Sequence, residues 1–162
     1  MTSRRVFITG RGLLSSLGHS VESVFRELIA GQSGVRAFPE WEQYKGLSTF
    51  LMAPAKGYDS KQIPRKIRRS MSPMSEMATL ATWQALEEAG FDLENPWQNI
   101  DYKKSLLAMG STTGSPLALG EHFKKLFEKG GPEGQTSTAF FIIMIHYMSD
   151  NVTLGIGYAG PI

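Results

Sequence analysis

The chain contains no cysteine. This absence excludes disulfide bonds, thiolate metal sites and any reaction in which a thiol of this chain is the nucleophile. Its three histidines, His19, His122 and His146, stand without the HxxxH or HExxH spacing of a metal-binding helix. We therefore predict no metal site and no cofactor for these residues.

The chain also lacks a strong net charge and a long apolar run. Lys and Arg number 17 against 15 Asp and Glu, a net charge of +2, which is too balanced to predict a nucleic-acid partner. The longest apolar stretch, residues 139–145, is far shorter than the about 20 residues that cross a bilayer. Residues 1–5 do not resemble a signal peptide. We expect a soluble, cytoplasmic protein with no membrane partner.

Short strand patterns and longer helical patterns alternate along the chain. Residues 6–10 form a β-branched apolar run that ends at Gly10, and residues 105–110 are apolar on both faces, as in a covered central strand. A further short strand is expected within residues 49–52. Helical patterns cover residues 21–30 after the cap Ser20, a short stretch after Pro64, and residues 73–89, 117–128 and 138–154. This alternation predicts the α/β class.

The α/β pattern is incomplete. Two confident strands do not make a self-sufficient parallel sheet, and the chain stops in a turn at residues 160–162. We therefore expect an incomplete layered half of sheet and helices. An open sheet edge and an exposed apolar helix around residues 140–148 would make the isolated chain associate or dissolve poorly.

The Gly10-Arg11-Gly12 sequence after the first predicted strand has two interpretations. A strand followed by GxG is typical of dinucleotide-binding domains, but Ser15 stands where their third glycine would be. No helical pattern begins at once after Gly12. A tight turn after a strand is the favoured interpretation, and a dinucleotide site remains the alternative.

Several segments resemble one enzyme family in order and spacing. RRVFITGRG at residues 4–12, AGQSGV at 30–35, MGSTTG at 109–114, KGGP at 129–132 and YAGP at 158–161 are similar to β-ketoacyl-acyl-carrier-protein synthases, condensing enzymes of thiolase-like fold. The resemblance covers residues 1–162 as the N-terminal part of that fold. It implies condensation of acyl and malonyl thioesters in fatty acid or polyketide synthesis, by a homodimer or heterodimer.

The same resemblance implies that the catalytic residues of the family are not among these residues. In this family a cysteine thiolate takes the acyl chain, and two histidines assist decarboxylation of the malonyl unit. The chain ends before the segment that would carry the cysteine, and none of its histidines matches the catalytic pair. We therefore expect no catalytic residue here and no condensation by this chain alone. A non-catalytic partner, similar to chain-length factors, is the alternative.

The resemblance also implies residues of an acyl pocket. Thr113 matches a position that often gates the pocket, and threonine would obstruct it less than a larger residue. Ala139, Phe140 and Phe141 match the stretch that lines the pocket near the dimer interface. Turn formation for Thr113 and plain core packing for the other three remain the alternatives.

A basic segment carries the predicted partner site. Residues 60–72 contain five basic side chains and no acidic one. Lys66 and Arg69 match positions at which the family docks its acidic acyl carrier protein, and a basic helix speeds encounter with an acidic partner. Ser70 and residues 133–134 depart from the family by lacking a basic side chain. A solvated basic face without a partner is the alternative.

Overall fold

The computed structural model describes residues 4–55, 57–144 and 146–162. The predictions for the N-terminus and for the longest apolar run fall partly on residues 1–3 and residue 145, which lie outside the described residues. The described elements are six α-helices, a pair of short strands and three short 3-10 helices. The helices are α1 (Val21–Ile29), α2 (Arg65–Arg68), α3 (Pro73–Glu88), α4 (Pro116–Glu128), α5 (Ser137–Ile143) and α6 (Tyr147–Ile156), the strands are β1 (Arg36–Ala37) and β2 (Leu51–Met52), and the 3-10 helices are Pro39–Gln43, Ser60–Gln62 and Tyr102–Lys104.

Helix α1 begins and ends where the sequence predicts. The Ser20 hydroxyl accepts the backbone N–H of Ser23 at 3.1 Å, and the Ser23 hydroxyl accepts the N–H of Ser20 at 3.1 Å. This reciprocal pair satisfies two N–H groups that the helix cannot. Gly31 ends the helix with φ of 69°, a conformation that glycine adopts without strain. Local side-chain chemistry is therefore sufficient to define this helix.

The two segments predicted as strands are not strands in the structure, so those predictions are wrong. Strands β1 and β2 instead pair antiparallel, with Arg36 opposite Met52, which confirms the strand expected within residues 49–52. Residues 6–8 are 93%, 74% and 86% exposed. Among the described residues, one backbone hydrogen bond joins residues 105–110 to another segment: the Leu107 N–H donates to the Pro161 carbonyl at 3.2 Å. An extended segment becomes a strand only when a neighbour satisfies its backbone groups.

The Gly10-Arg11-Gly12 segment lies against α3. A β-carbon on Gly10 would collide with the carbonyl group of Ala85, and one on Gly12 would collide with that of Ala81. Arg11 forms an ion pair with Glu88 of α3 and donates from Nε to Oε1 at 3.0 Å. These contacts account for both glycines by close approach to a helix. The next helix begins only at residue 21, which disfavours a dinucleotide site.

The main core lies between α3 and α6, which run parallel. The Asn151 amide donates to Ser75 at 3.4 Å, and about two turns further along α3 Trp83 Nε1 donates to the Gly155 carbonyl at 3.1 Å. Trp97 Nε1 donates to the next carbonyl, that of Ile156, at 2.6 Å. The two indoles thereby satisfy carbonyl groups that the C-terminus of a helix leaves unpaired. Four apolar residues are buried around this contact: Met148, Val152, Ile156 and Tyr158.

The single helix predicted within residues 138–154 is two helices. Helices α5 and α6 meet at an angle of 101°. Helix α6 contributes four buried residues, but α5 contributes none, so burial was predicted correctly only for the second part. Among the described residues no single helix has the length and hydropathy to cross a bilayer; α5 and α6 reach them only when counted together across their bend.

The close contact between α3 and α6 gives a test by double substitution. A β-carbon on Gly155 would lie 2.6 Å from Cγ2 of Thr79, so Gly155→Ala should lower the free energy of unfolding by about 1–3 kcal/mol through overpacking. Thr79→Ser removes that methyl group and keeps the hydroxyl that binds the Ser75 carbonyl. Chemical denaturation should show a smaller cost of Gly155→Ala in the Thr79→Ser background. Equal costs in both backgrounds would refute the contact.

The ion pair between Arg11 and Glu88 predicts a pH dependence of stability. Hydrogen bonding to Arg11 lowers the pKa of the Glu88 carboxyl from its ordinary value. A lowered folded pKa stabilises the folded state above the unfolded pKa, and this contribution disappears as pH falls through the folded pKa. Glu88→Gln should therefore destabilise the protein at pH 7, and its cost should be smaller at about pH 3, below the ordinary pKa of a glutamate. Urea titrations at both pH values test this, with the exposed Glu94→Gln as control; a pH-independent effect would contradict it.

Candidate functional site

The basic segment forms one continuous surface. It comprises the 3-10 helix Ser60–Gln62 and helix α2, which is only four residues long. Arg68 is half-buried and the other basic side chains are exposed. We call this the basic surface, and its members are Lys61, Arg65, Lys66, Arg68 and Arg69.

One buried and one partly buried isoleucine orient the basic surface toward solvent. Ile63 is fully buried and packs with Met71 and Leu80, and Ile67 packs against the same cluster. A four-residue helix is not stable by itself, so this anchoring to α3 holds α2 in place. With the isoleucines directed inward, Arg65 and Lys66 between them are exposed. The predicted docking residues are thus both exposed, Lys66 within α2 and Arg69 as its C-cap.

The charge of the basic surface is not neutralised by the chain. Among the described residues, none of its five basic side chains takes part in an ion pair. The adjacent carboxylate of Asp59 accepts the backbone N–H of Lys61 at 2.9 Å. That of Glu76 accepts the Tyr58 hydroxyl at 3.1 Å, and burial together with this carboxylate raises the pKa of Tyr58. The surface therefore presents positive charge to any partner.

The predicted gate residue Thr113 lies in a tight turn before α4. Gly114 is buried with φ of 67°, and its N–H donates to the Ser111 hydroxyl at 3.2 Å. Thr113 itself is exposed. Its role in gating stays a prediction, because no described contact joins Thr113 to the other predicted pocket residues, Ala139, Phe140 and Phe141.

The other predicted pocket residues lie together on α5. Ala139 is half-buried, while Phe140 and Phe141 are 48% and 44% exposed. The Phe141 ring stacks on that of Tyr147 with centroids 5.4 Å apart. The two phenylalanines therefore present apolar surface to solvent, and their place in an acyl pocket stays a prediction.

A small cavity between α4 and α5 was not predicted. Its volume is about 90 Å³, and Ala139, His122, Gln135 and Ile142 are among its lining residues. The Gln135 amide donates to the backbone carbonyl of His122 at 2.9 Å. Nδ1 of His122 is buried without a hydrogen-bond partner among the described residues. Thr113 is not among the residues that line this cavity.

The described residues contain no group of three or more metal-binding side chains. Ser60 opens the predicted basic segment, but its contact with Arg68 was not predicted. Nη1 of Arg68 donates to the Ser60 hydroxyl at 3.3 Å. This bond joins the 3-10 helix to α2, and a lone serine before a lysine has no pattern that predicts it.

Solved structures with the same arrangement are ketosynthases of thiolase-like fold. A β-ketoacyl synthase from Burkholderia phymatum STM815 matches with a TM-score of 0.80 and 32% identity, over 98% of this chain and 38% of that one. The ishigamide ketosynthase/chain length factor matches with a TM-score of 0.78 at 20% identity, over 98% of this chain and 38% of that one. At that identity the second likeness shows the fold alone. The predicted fold class, the N-terminal part of a thiolase-like α/β fold, is thus confirmed.

Residues 3–162 match the family model of the β-ketoacyl synthase N-terminal domain, and the chain belongs to this family. The 3-oxoacyl-[acyl-carrier-protein] synthase 2 of Vibrio cholerae is 29% identical over 99% of this chain and 38% of its own length. Synthase 1 of Escherichia coli strain K12 is 34% identical over 70% of this chain and 27% of its own length. The chain therefore spans less than two fifths of the relatives it matches.

Proposed function

We propose that this chain forms the N-terminal part of a 3-oxoacyl-[acyl-carrier-protein] synthase. The complete enzyme would be a cytoplasmic dimer that condenses acyl and malonyl thioesters. The observation that carries the proposal is the uncompensated basic surface, with Lys66 and Arg69 exposed on it, in a chain of the β-ketoacyl synthase family. The nucleophilic thiol would come from outside these 162 residues, since they contain no cysteine.

In this proposal the basic surface receives an acidic acyl carrier protein. Each exposed ion pair contributes only about 0.2–1 kcal/mol, so several cations must act together. Their summed field speeds encounter and orients the partner, and both effects weaken with salt. Docking on α2 would bring the carrier's thioester to the enzyme without any specific anchor on the acyl chain.

The acyl chain itself would be held by apolar side chains. Phe140 and Phe141 expose ring surface on α5 beside Ala139. Burial of each methylene of an acyl chain contributes about 0.8 kcal/mol, so a wall of this kind would select for chain length. Thr113 would act as the gate before α4, where its small side chain obstructs little.

A non-catalytic partner of a condensing enzyme is the second candidate, since the ishigamide ketosynthase/chain length factor shares the fold. The two candidates differ in what they complement. A synthase part should restore condensation when mixed with a polypeptide that carries the rest of the fold and its cysteine. A chain-length-factor-like protein should instead change the product length of a separate, complete ketosynthase.

Reversal of the two docking charges tests carrier recognition. The Lys66→Glu/Arg69→Glu variant should bind a bacterial holo-acyl carrier protein at least about tenfold more weakly at low salt, because attraction becomes repulsion. Isothermal titration calorimetry at low and high salt measures this, and the difference between variant and wild type should shrink at high salt.

Lys103→Glu is the matched control for this experiment. Lys103 is exposed in the 3-10 helix Tyr102–Lys104, whose Tyr102 contacts Tyr158 beyond the C-terminus of α6. Lys103 is therefore an exposed cation that does not belong to the basic surface. Equal weakening by Lys103→Glu, or no binding by the wild-type chain, would contradict the docking proposal.

The missing nucleophile gives a direct chemical test. When this chain is incubated with an acyl-acyl carrier protein thioester, its mass should stay unchanged, because no thiol is present to accept the acyl group. Intact-protein mass spectrometry measures the result, with a cysteine-containing ketosynthase as the positive control. An adduct of acyl mass that hydroxylamine removes would show that another residue of this chain takes the acyl group.

A further inference from the structure

We propose that the docking surface for the acidic carrier protein extends beyond α2 onto the 3-10 helix Ser60–Gln62. Lys61 would be a further contact residue, and Ser60 would be a positioning residue that acts through Arg68. This inference rests on the proposed function and concerns the same surface. It assigns a role to two residues that lie outside the helix on which docking was predicted.

The spacing of the basic residues along α2 places them in two rows. Lys66 and Arg69 are three residues apart and share one side of the helix, and Arg65 and Arg68 share the neighbouring side. Nη1 of Arg68 reaches the Ser60 hydroxyl at 3.3 Å. The 3-10 helix therefore lies beside Arg68, and Lys61, the residue after Ser60, is exposed next to this contact.

The backbone that carries Lys61 is fixed from both sides. The Asp59 carboxylate accepts the Lys61 N–H at 2.9 Å, and the Ile63 N–H donates to the Ser60 carbonyl at 3.1 Å. Two residues further on, the fully buried Ile63 side chain anchors the segment to α3. A fixed backbone lowers the entropy that is lost when a partner binds. Lys61 thus presents an exposed ammonium group on a backbone that is already ordered before a partner binds.

The charges around Lys61 favour an acidic partner. Two carboxylates lie near the basic surface: Asp59 accepts the Lys61 N–H and Glu76 accepts the Tyr58 hydroxyl. Within the described part of the chain, neither forms an ion pair with the five basic side chains, so the local charge stays positive. The bond from Arg68 goes to a neutral hydroxyl, so it orients the guanidinium without cancelling its charge. Such a row matches carboxylates spaced along a helix of an acidic protein. The low net charge of the whole chain, +2, gives no comparable attraction to nucleic acid.

Three variants of the full chain separate contact from positioning. Lys61→Glu should weaken binding of holo-acyl carrier protein about three- to tenfold at low salt and reduce its dependence on salt. Ser60→Ala removes the hydroxyl but no charge, so it should weaken binding about twofold and leave the salt dependence unchanged. Ser60→Thr keeps a hydroxyl and should restore the wild-type affinity. Calorimetry or biolayer interferometry at several salt concentrations measures all three.

Controls distinguish the failure of this inference from that of the proposed function. If the wild type binds and Lys66→Glu weakens binding but Lys61→Glu does not, the extension is wrong and docking on α2 stands. If the wild type does not bind the carrier at all, both proposals fall. A single-stranded oligonucleotide of matched charge is the specificity probe. Binding of it as tight as that of the carrier, with the same sensitivity to Lys61→Glu, would overturn the assignment to an acidic protein.

Discussion

The structure depends on the close parallel contact between α3 and α6. Gly155 has no side chain, so Thr79 can approach the backbone of α6, and the indoles of Trp83 and Trp97 bind the last carbonyls of that helix. Trp83 also contacts both apolar clusters. The contact therefore combines close packing with satisfaction of polar groups that would be costly to bury unpaired.

The position of the basic surface follows from this contact. Helix α3 is held by α6, and its Leu80 joins Met71 and Ile63 in the cluster that anchors the basic segment. Helix α2 is too short to be stable alone, so its charges are placed by the helices below it. The basic surface at α2 and the packing at Thr79 thus depend on the same contact between helices.

The sequence predicted features that local chemistry determines. Ser20 and Gly31 define α1, and Pro73 and Gly90 bracket α3, because caps and breakers act within one turn. Residues 6–10 and 105–110 have strand composition, but a strand also requires a bonded neighbour, which composition does not supply. Lys66 and Arg69 were predicted as docking residues from the resemblance to a family. The bond between Ser60 and Arg68 depends on three-dimensional proximity and left no pattern to find.

Residues that approach a helix backbone also could not be recognised from sequence alone. Gly10 and Gly12 suggest a phosphate-binding loop, yet they are explained by contact with the carbonyl groups of Ala85 and Ala81. Two of the three tryptophans, Trp83 and Trp97, donate hydrogen bonds to the end of α6. The third, Trp41, stacks on Phe38 in a different segment of the chain. The wavelength of tryptophan fluorescence should therefore report whether α6 is packed in place, since two of the three indoles bind its C-terminus.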